Sequence, residues 1–162
     1  MRIFDTERLR LRPLKVGDSQ EVEELAREYD VSKSTLTIPH PYPEGSAKDF
    51  IEKVLDSEKR GELFNFAITS KETQNLIGMI NIKLSGRHSR GELGYWIGKP
   101  FWNIGYGTEA ARAVLEFGFN DLNLNKVYAQ AFKETPGSWR IMEKIGLKYE
   151  GTLKQHVYRF EI

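Results

Sequence analysis

The stretch Trp102-Asn103-Ile104-Gly105-Tyr106-Gly107-Thr108-Glu109-Ala110 has the spacing with the most chemical content. Two closely spaced glycines separate a run with strand alternation from a run with helical spacing. A helix N-terminus offers unpaired N–H groups and the positive end of the dipole. Glycines let the main chain come close to a ligand. Together they make a pyrophosphate cradle that needs no basic side chain. Gly105, Gly107 and Ala110 also fit G-x-G-x-x-A, the dinucleotide fingerprint. The context differs from that fingerprint: Lys99 to Asn103 intervene after the strand, and the motif comes late, after three strands with antiparallel signals. A third reading is a helix started by glycine with no ligand, since glycines also serve turns and packing.

Other chemistries find little support. The chain has no cysteine, which removes thiol nucleophiles, disulfides and thiolate metal sites. His88 and His156 have no partner at metal-ligand spacing, so no metal is expected. Arg8, Arg10 and Arg12 alternate along a predicted strand and read as its solvated face. The formal net charge of +1 and the dispersed basic residues argue against nucleic acid as a partner. No apolar run is long enough to span a bilayer, and the N-terminus lacks the apolar core of a secretory signal. A cytoplasmic, non-membrane protein is the expectation.

The elements that must position the glycine stretch are legible from periodicity. Leu9 and Leu11 alternate with arginines and predict a first strand, ended by Pro13. Asp18 with Glu21 reads as a capping box for a helix carrying Val22, Leu25, Ala26 and Tyr29. Ala47, Phe50, Ile51, Val54 and Leu55 predict a second helix. Strands follow around Phe64–Ile68, Ile80–Leu84 and Leu93–Ile97, with turns at KETQN and SGRHSRG. Gly105 opens a helix containing Ala111, Val114, Leu115 and Gly118, and Val127 to Ala131 make a fifth strand. Thr135 and Pro136 open a last helix, Gly146 ends it, and Leu147 to Leu153 return as strand. Three consecutive strands imply antiparallel pairing, and the later strand–helix–strand unit implies a right-handed parallel crossover. The expected fold is one α/β domain over 1–162, with helices on both faces of a mixed sheet. The length of 162 residues and the 40% apolar content suit a single core.

Four pieces in order resemble the RimJ/RimL-like branch of the GNAT N-acetyltransferases. Thr6-Glu7-Arg8-Leu9-Arg10-Leu11-Arg12-Pro13 is similar to that branch's first strand, and Glu92-Leu93-Gly94-Tyr95-Trp96-Ile97 to its fourth. Pro100, Trp102, Gly105, Tyr106, Thr108, Glu109 and Ala110 follow its acetyl-CoA motif. Ser138, Arg140, Glu143, Lys144, Gly146 and Leu147 follow its last helix. The resemblance implies a mostly antiparallel twisted sheet that splays between the fourth and fifth strands. It also implies direct acetyl transfer from acetyl-CoA to a primary amine, with the α-amine of a protein N-terminus among the acceptors of that branch.

On that resemblance, the amides of Asn103, Ile104, Gly105, Tyr106, Gly107 and Thr108 hold the pyrophosphate. Free main-chain groups near Trp96, Ile97 and Gly98 pair with the pantetheine and polarise the thioester. Glu92 is the candidate base, directly or through water, and partial burial would have to raise its pKa for that task; its other reading is a solvated strand glutamate. The acid usual in this family, a tyrosine on the last helix, is replaced at Met142. Ser138 is the substitute and also counts as a cofactor contact, with capping or packing as its other reading. Thr135 stands where the family usually has asparagine; it keeps the N-cap chemistry and counts as a cofactor contact. The segment Thr37 to Pro43, with Pro39, His40 and Tyr42, is the predicted acceptor lip, stiffened by its prolines. The chain stops soon after Gly151, so Val157 to Phe160 either form a short closing strand or leave an open edge. A monomer or a homodimer is compatible with that. The runner-up reading is a non-catalytic CoA-binding module, and a nicotinamide-dinucleotide enzyme is third.

Overall fold

A computed structural model describes residues 2–33, 38–85, 87–131 and 136–151. Six strands form one sheet in sequential order: β1 (Phe4–Asp5), β2 (Leu9–Pro13), β3 (Leu63–Ser70), β4 (Leu76–Ser85), β5 (Arg90–Ile97) and β6 (Lys126–Ala129). Neighbours are antiparallel from β1 to β5. β5 and β6 are parallel, joined through helix α4 (Tyr106–Asn120). Helices α1 (Ser19–Ala26), α2 (Tyr29–Lys33) and α3 (Ser46–Lys59) precede β3, and α5 (Pro136–Lys144) follows β6. This is the expected mixed α/β sheet, with a short β1 added at its start.

Strand alternation sorts side chains onto two faces. Phe66, Ile68, Ile80, Ile82, Leu93 and Val127 point at α4, where Ala110, Ala111, Val114 and Phe117 meet them in the main core. Each large aliphatic side chain fully buried there contributes roughly 1.5–3 kcal/mol. On the other face Ala67 and Met79 pack under Val22, Ile51 and Val54 of α1 and α3, with Trp96 at the margin. Gly118 brings α4 close to the sheet: a Cβ there would stand 3.0 Å from Ile82 Cδ1.

Three expectations change. The helical run to Tyr29 breaks after Ala26, and Tyr29 opens α2. The Asp18–Glu21 pair makes no capping box. Asp18 takes a bidentate ion pair from Arg12, at 2.8 and 2.9 Å, and the Lys15 amide at 3.0 Å. Glu21 reaches across to accept the Leu76 amide at 2.9 Å. Nearby Arg12 and Lys15 claim Asp18, and the distant Leu76 amide claims Glu21. Finally, 147–151 form no strand. That segment is tied to β6 by side chains instead, the Lys126 ammonium meeting Glu150 at 3.0 Å. The predicted closing strand at Val157 to Phe160 lies outside the described residues.

Candidate active site

β5 and β6 pair only from Arg90↔Lys126 to Leu93↔Ala129. Beyond Leu93 the strands part, leaving Gly94 to Ile97 paired on the β4 side alone. The Gly98 amide donates to the Ile77 carbonyl at 2.8 Å, which sets the phase of the ladder. Antiparallel ladders alternate, so Gly94 and Trp96 turn their main-chain groups toward β4. Tyr95 and Ile97 turn theirs into the gap. This corrects one expectation: the main chain facing the gap belongs to Tyr95 and Ile97, and that of Trp96 does not. Gly98 is likewise bound to β4. The Ile97 carbonyl accepts the Trp102 indole N–H at 2.7 Å.

That indole bond folds the chain back after a 3-10 turn at Lys99–Phe101. Asn103 and Gly105 then take positive φ, 62° and 92°, and Gly105 is the N-cap of α4. Gly105 has no side-chain oxygen to offer as a cap. The first intrahelical bond runs from the Glu109 amide to the Gly105 carbonyl. The amides of Asn103 to Thr108 therefore have no acceptor among the described residues. Beside them opens a cleft of about 540 Å3, lined by Thr6, Arg8, Gly105, Thr108, Arg112 and Lys144 among others. Its four carboxylates are Asp5, Glu7, Glu109 and Glu116; Asp5 is paired with Arg10 and Glu109 with Arg8. A diphosphate fits this chemistry, because free N–H donors at a helix start need an anion.

Gly107 has a packing role beside that of its amide. It is buried, and a Cβ on it would stand 2.6 Å from Ile141 Cδ1. Its missing side chain lets α5 pack on α4, and it leaves no space for a ligand.

The loop is fastened by Thr6 and by Arg8, which here is not a solvated strand-face residue. Arg8 Nε donates to Glu109 Oε1 at 2.8 Å and its amide to Glu109 Oε2 at 2.8 Å. Arg8 Nη1 donates to the Ile104 carbonyl at 3.0 Å, and the guanidinium lies 4.5 Å above the Tyr106 ring. The Thr6 hydroxyl donates to Glu109 Oε2 at 2.5 Å. Burial alone would push the Glu109 carboxyl up, but Thr6 and Arg8 outweigh it and hold its pKa below the ordinary value. About a hundred residues separate the partners of this clasp, so no local pattern announces it.

The two candidate catalytic residues lie on opposite faces of β5. Glu92, with Gly94 and Trp96, faces the α1/α3 side. It is half-buried, and its carboxylate accepts Gln130 Nε2 at 3.2 Å. Its cross-strand partner is Lys83. Tyr95 faces the α4/α5 side, where its hydroxyl donates to the Ser138 carbonyl at 2.7 Å. The Ser138 hydroxyl donates to Tyr95 Oη at 3.3 Å. Burial pushes the Tyr95 phenol up to about 12, moderated by the Ser138 contact, so it stays protonated. Met142 lies in the last turn of α5 and offers no proton.

The predicted acceptor lip lies on the Glu92 side of the sheet. Tyr42 packs against the core cluster that holds Val22, Ala47, Ile51 and Met79, and burial raises its phenol pKa, helped by Glu23. Pro39 and His40 are exposed, and the His40 ring meets Tyr29 edge-on at 4.9 Å. Thr135 lies outside the described residues. Among the described residues, no His/Asp/Glu cluster could hold a metal and no helix is long and apolar enough to cross a membrane.

Comparison with known proteins agrees with this architecture. An uncharacterized N-acetyltransferase, YnaD, of Bacillus subtilis is 34% identical over 93% of this chain and 85% of its own. The crystal structure of a GNAT-family acetyltransferase from Bacillus anthracis superposes with a TM-score of 0.85 at 29% identity, covering 96% of this chain and 89% of that one. A putative ribosomal-protein-serine acetyltransferase from Vibrio cholerae gives 0.80 at 25% identity, covering 90% and 82%. The sequence profile of the acetyltransferase (GNAT) domain matches residues 8–148. With its parted β5 and β6 and its open helix start, this chain belongs to the GNAT acetyltransferases.

Proposed function

We propose that the protein transfers acetyl from acetyl-CoA to a primary amine, with the α-amine of a protein N-terminus as the acceptor class. The observation that supports it most is the unpartnered first turn of α4 beside the gap between β5 and β6. A diphosphate on those amides points the rest of the cosubstrate along β5. Acetyl-CoA supplies an activated thioester, and the chain's residues do the rest.

The Tyr95 and Ile97 amides that face the gap align the thioester and stabilise charge on its carbonyl oxygen. The amine approaches from the Glu92 face. A new C–N bond forms, the C–S bond breaks, and Glu92 receives the proton lost by nitrogen, directly or through one water. Sulfur leaves on the Ser138 face, so entry and departure are on opposite sides of one strand. A rotation about the Cα–Cβ bond of Ser138 re-aims its hydroxyl from Tyr95 to the sulfur. The nearby start of α5 favours negative charge there. An α-amine has a reference pKa of about 7.7–8.0 against about 10.4 for lysine. It therefore needs less help from a half-buried carboxylate, which favours the N-terminal acceptor.

The test is thiol release from acetyl-CoA over a panel of amines: peptides with free α-amines, Nε-exposed lysine peptides and polyamines. The proposal expects turnover with α-amine peptides. It also expects Ser138→Ala to lower kcat by about tenfold, within the range of proton-transfer contributions, at unchanged acetyl-CoA Kd. An undiminished kcat in that variant removes Ser138 from the mechanism, and no turnover with any amine removes the transfer itself.

A further inference from the structure

The α1/α3 face of the sheet has a polar interruption that the steps above do not use. The rungs of β4 and β5 on this face run Met79↔Trp96, Asn81↔Gly94 and Lys83↔Glu92. Behind Asn81, on β3, stands Asn65, paired in register and 2% exposed. Apolar Ala67, Met79 and Trp96 pack beside this pair. Polar groups on such a face cost stability unless hydrogen-bonded.

Asn65 uses both ends of its amide. Its nitrogen points at Met79 Sδ at 3.9 Å, and its oxygen accepts Asn81 Nδ2 at 3.3 Å. The sulfur is an acceptor only, so it fixes which end of Asn65 faces Asn81. That in turn fixes Asn81, whose carbonyl oxygen is left over. No partner for Asn81 Oδ1 exists among the described residues. Asn81 is half-buried, not sealed.

Gly94 explains where that oxygen looks. The three atoms nearest to a Cβ at Gly94 all belong to the Asn81 amide, with Oδ1 closest at 3.2 Å. A glycine inside a strand weakens it and often marks a close approach. Here it leaves a notch over Asn81, next to Glu92 on the same face and at the point where β6 has left the sheet.

We propose that Asn81 Oδ1, reached through the Gly94 notch, is a second hydrogen-bond acceptor for the incoming amine and makes the enzyme select primary over secondary amines. The inference rests on the acetyl-transfer reading and specifies its acceptor. A neutral primary amine has one lone pair and two N–H groups. The lone pair goes to the thioester carbon, one N–H to Glu92 and the other to Asn81. Asn81 takes no proton and only holds the nitrogen's orientation, which makes it a positioning residue. A secondary amine has a single N–H and would leave the Asn81 carbonyl unmet. Sites built to hydrogen-bond a group reject analogues that lack it.

The experiment pairs each primary amine that the wild-type protein turns over with its N-methyl form, for instance an alanine-first peptide and its N-methylalanine counterpart. The wild type is expected to prefer the primary amine by about tenfold or more in kcat/KM. In Asn81→Leu and Gly94→Ala that preference should fall to roughly threefold or less, through the acceptor KM, with acetyl-CoA Kd unchanged. Asn81→Asp keeps an acceptor oxygen and should retain the preference. Gly94→Ala adds one methyl group and leaves the Asn65–Asn81 pair in place, so it reads the notch even if Asn81→Leu folds poorly. A preference unchanged in the variants, or absent from an active wild type, overturns this inference alone. A wild type that acetylates no amine overturns the transfer reading and this inference with it.

Discussion

On the α4 side of β5, the side chains around the helix start are tied down, which holds its open amides in place. Arg8 and Thr6 hold Glu109, Arg8 also holds the Ile104 carbonyl, and Trp102 holds Ile97. On the α1/α3 side, Glu92 has one bond to an exposed glutamine, and Asn81 keeps an oxygen unused. The first region is fixed before any ligand arrives; the second leaves donors and acceptors open. Preorganisation belongs where the ligand is always the same, because ordering costs are then met in folding rather than in binding. Openness belongs where the partner brings its own donors. The difference is what a transferase with one cosubstrate and a class of acceptors requires.

Breaking the fixed region should have the largest effects. Gly105 sits at φ 92°, where a β-branched residue is strained by about 1–3 kcal/mol. Gly105→Val should weaken CoA binding by roughly 10–100-fold, since each 1.4 kcal/mol is tenfold; calorimetric titration measures it. Arg8→Ala removes the clasp while leaving the amides in place. We expect acetyl-CoA Kd to rise by about tenfold, and stability to fall by ~1–2 kcal/mol after allowance for the exposure of Arg8. Arg8→Lys should recover only a part, because a lysine cannot fork between Glu109 and Ile104. Denaturant midpoints and Kd values check both.

The clasp also sets an acid limit. Glu109 and Asp18 are both held below their ordinary pKa values: burial alone raises each, but Thr6 and Arg8, and Arg12 and Lys15, more than offset it. A carboxyl with a depressed folded-state pKa adds stability above its unfolded value of about 4.3 for Glu or 3.9 for Asp. That stability is lost as pH falls through the lower folded value. The stability gap between wild type and Arg8→Ala should therefore be full at pH 7 and shrink as pH falls below the unfolded value of about 4.3 and through the lower folded value of Glu109. Urea midpoints at several pH values read the gap. Gly107→Ala should have the smallest effect, about 1 kcal/mol, as the flexible end of Ile141 yields. If α5 shifts, kcat should fall more than acetyl-CoA binding, because Ser138 rides on that helix.

Much of this architecture is legible in the sequence, and the limits are physical. Leu9 and Leu11 announce their strand because burial there has a period of two, and Phe64–Ile68 because a mostly apolar run rich in β-formers is buried on both faces. Gly105 announces its helix start because few other residues take φ 92°. Ladder phase is a different matter. Which of Tyr95 and Trp96 faces the gap depends on a β4–β5 register that no local pattern encodes. The Asp18–Glu21 pair fits a capping box, yet Arg12 and Leu76 claim its side chains from elsewhere in the fold. Arg8 reads as solvated until Glu109 is brought to it. The Asn65–Asn81 pair is equally silent, because each asparagine alone is only a polar residue on a strand.

The central claim is that the first-turn amides of α4 receive the diphosphate of coenzyme A. Amide NMR of the labelled protein titrated with CoA tests it directly. The account predicts that Gly105, Tyr106, Gly107 and Thr108 show the largest shifts, saturating together, and that the same amides stay unmoved with NAD. Amides that remain in place up to millimolar CoA, or shifts confined to other parts of the sheet, would contradict it.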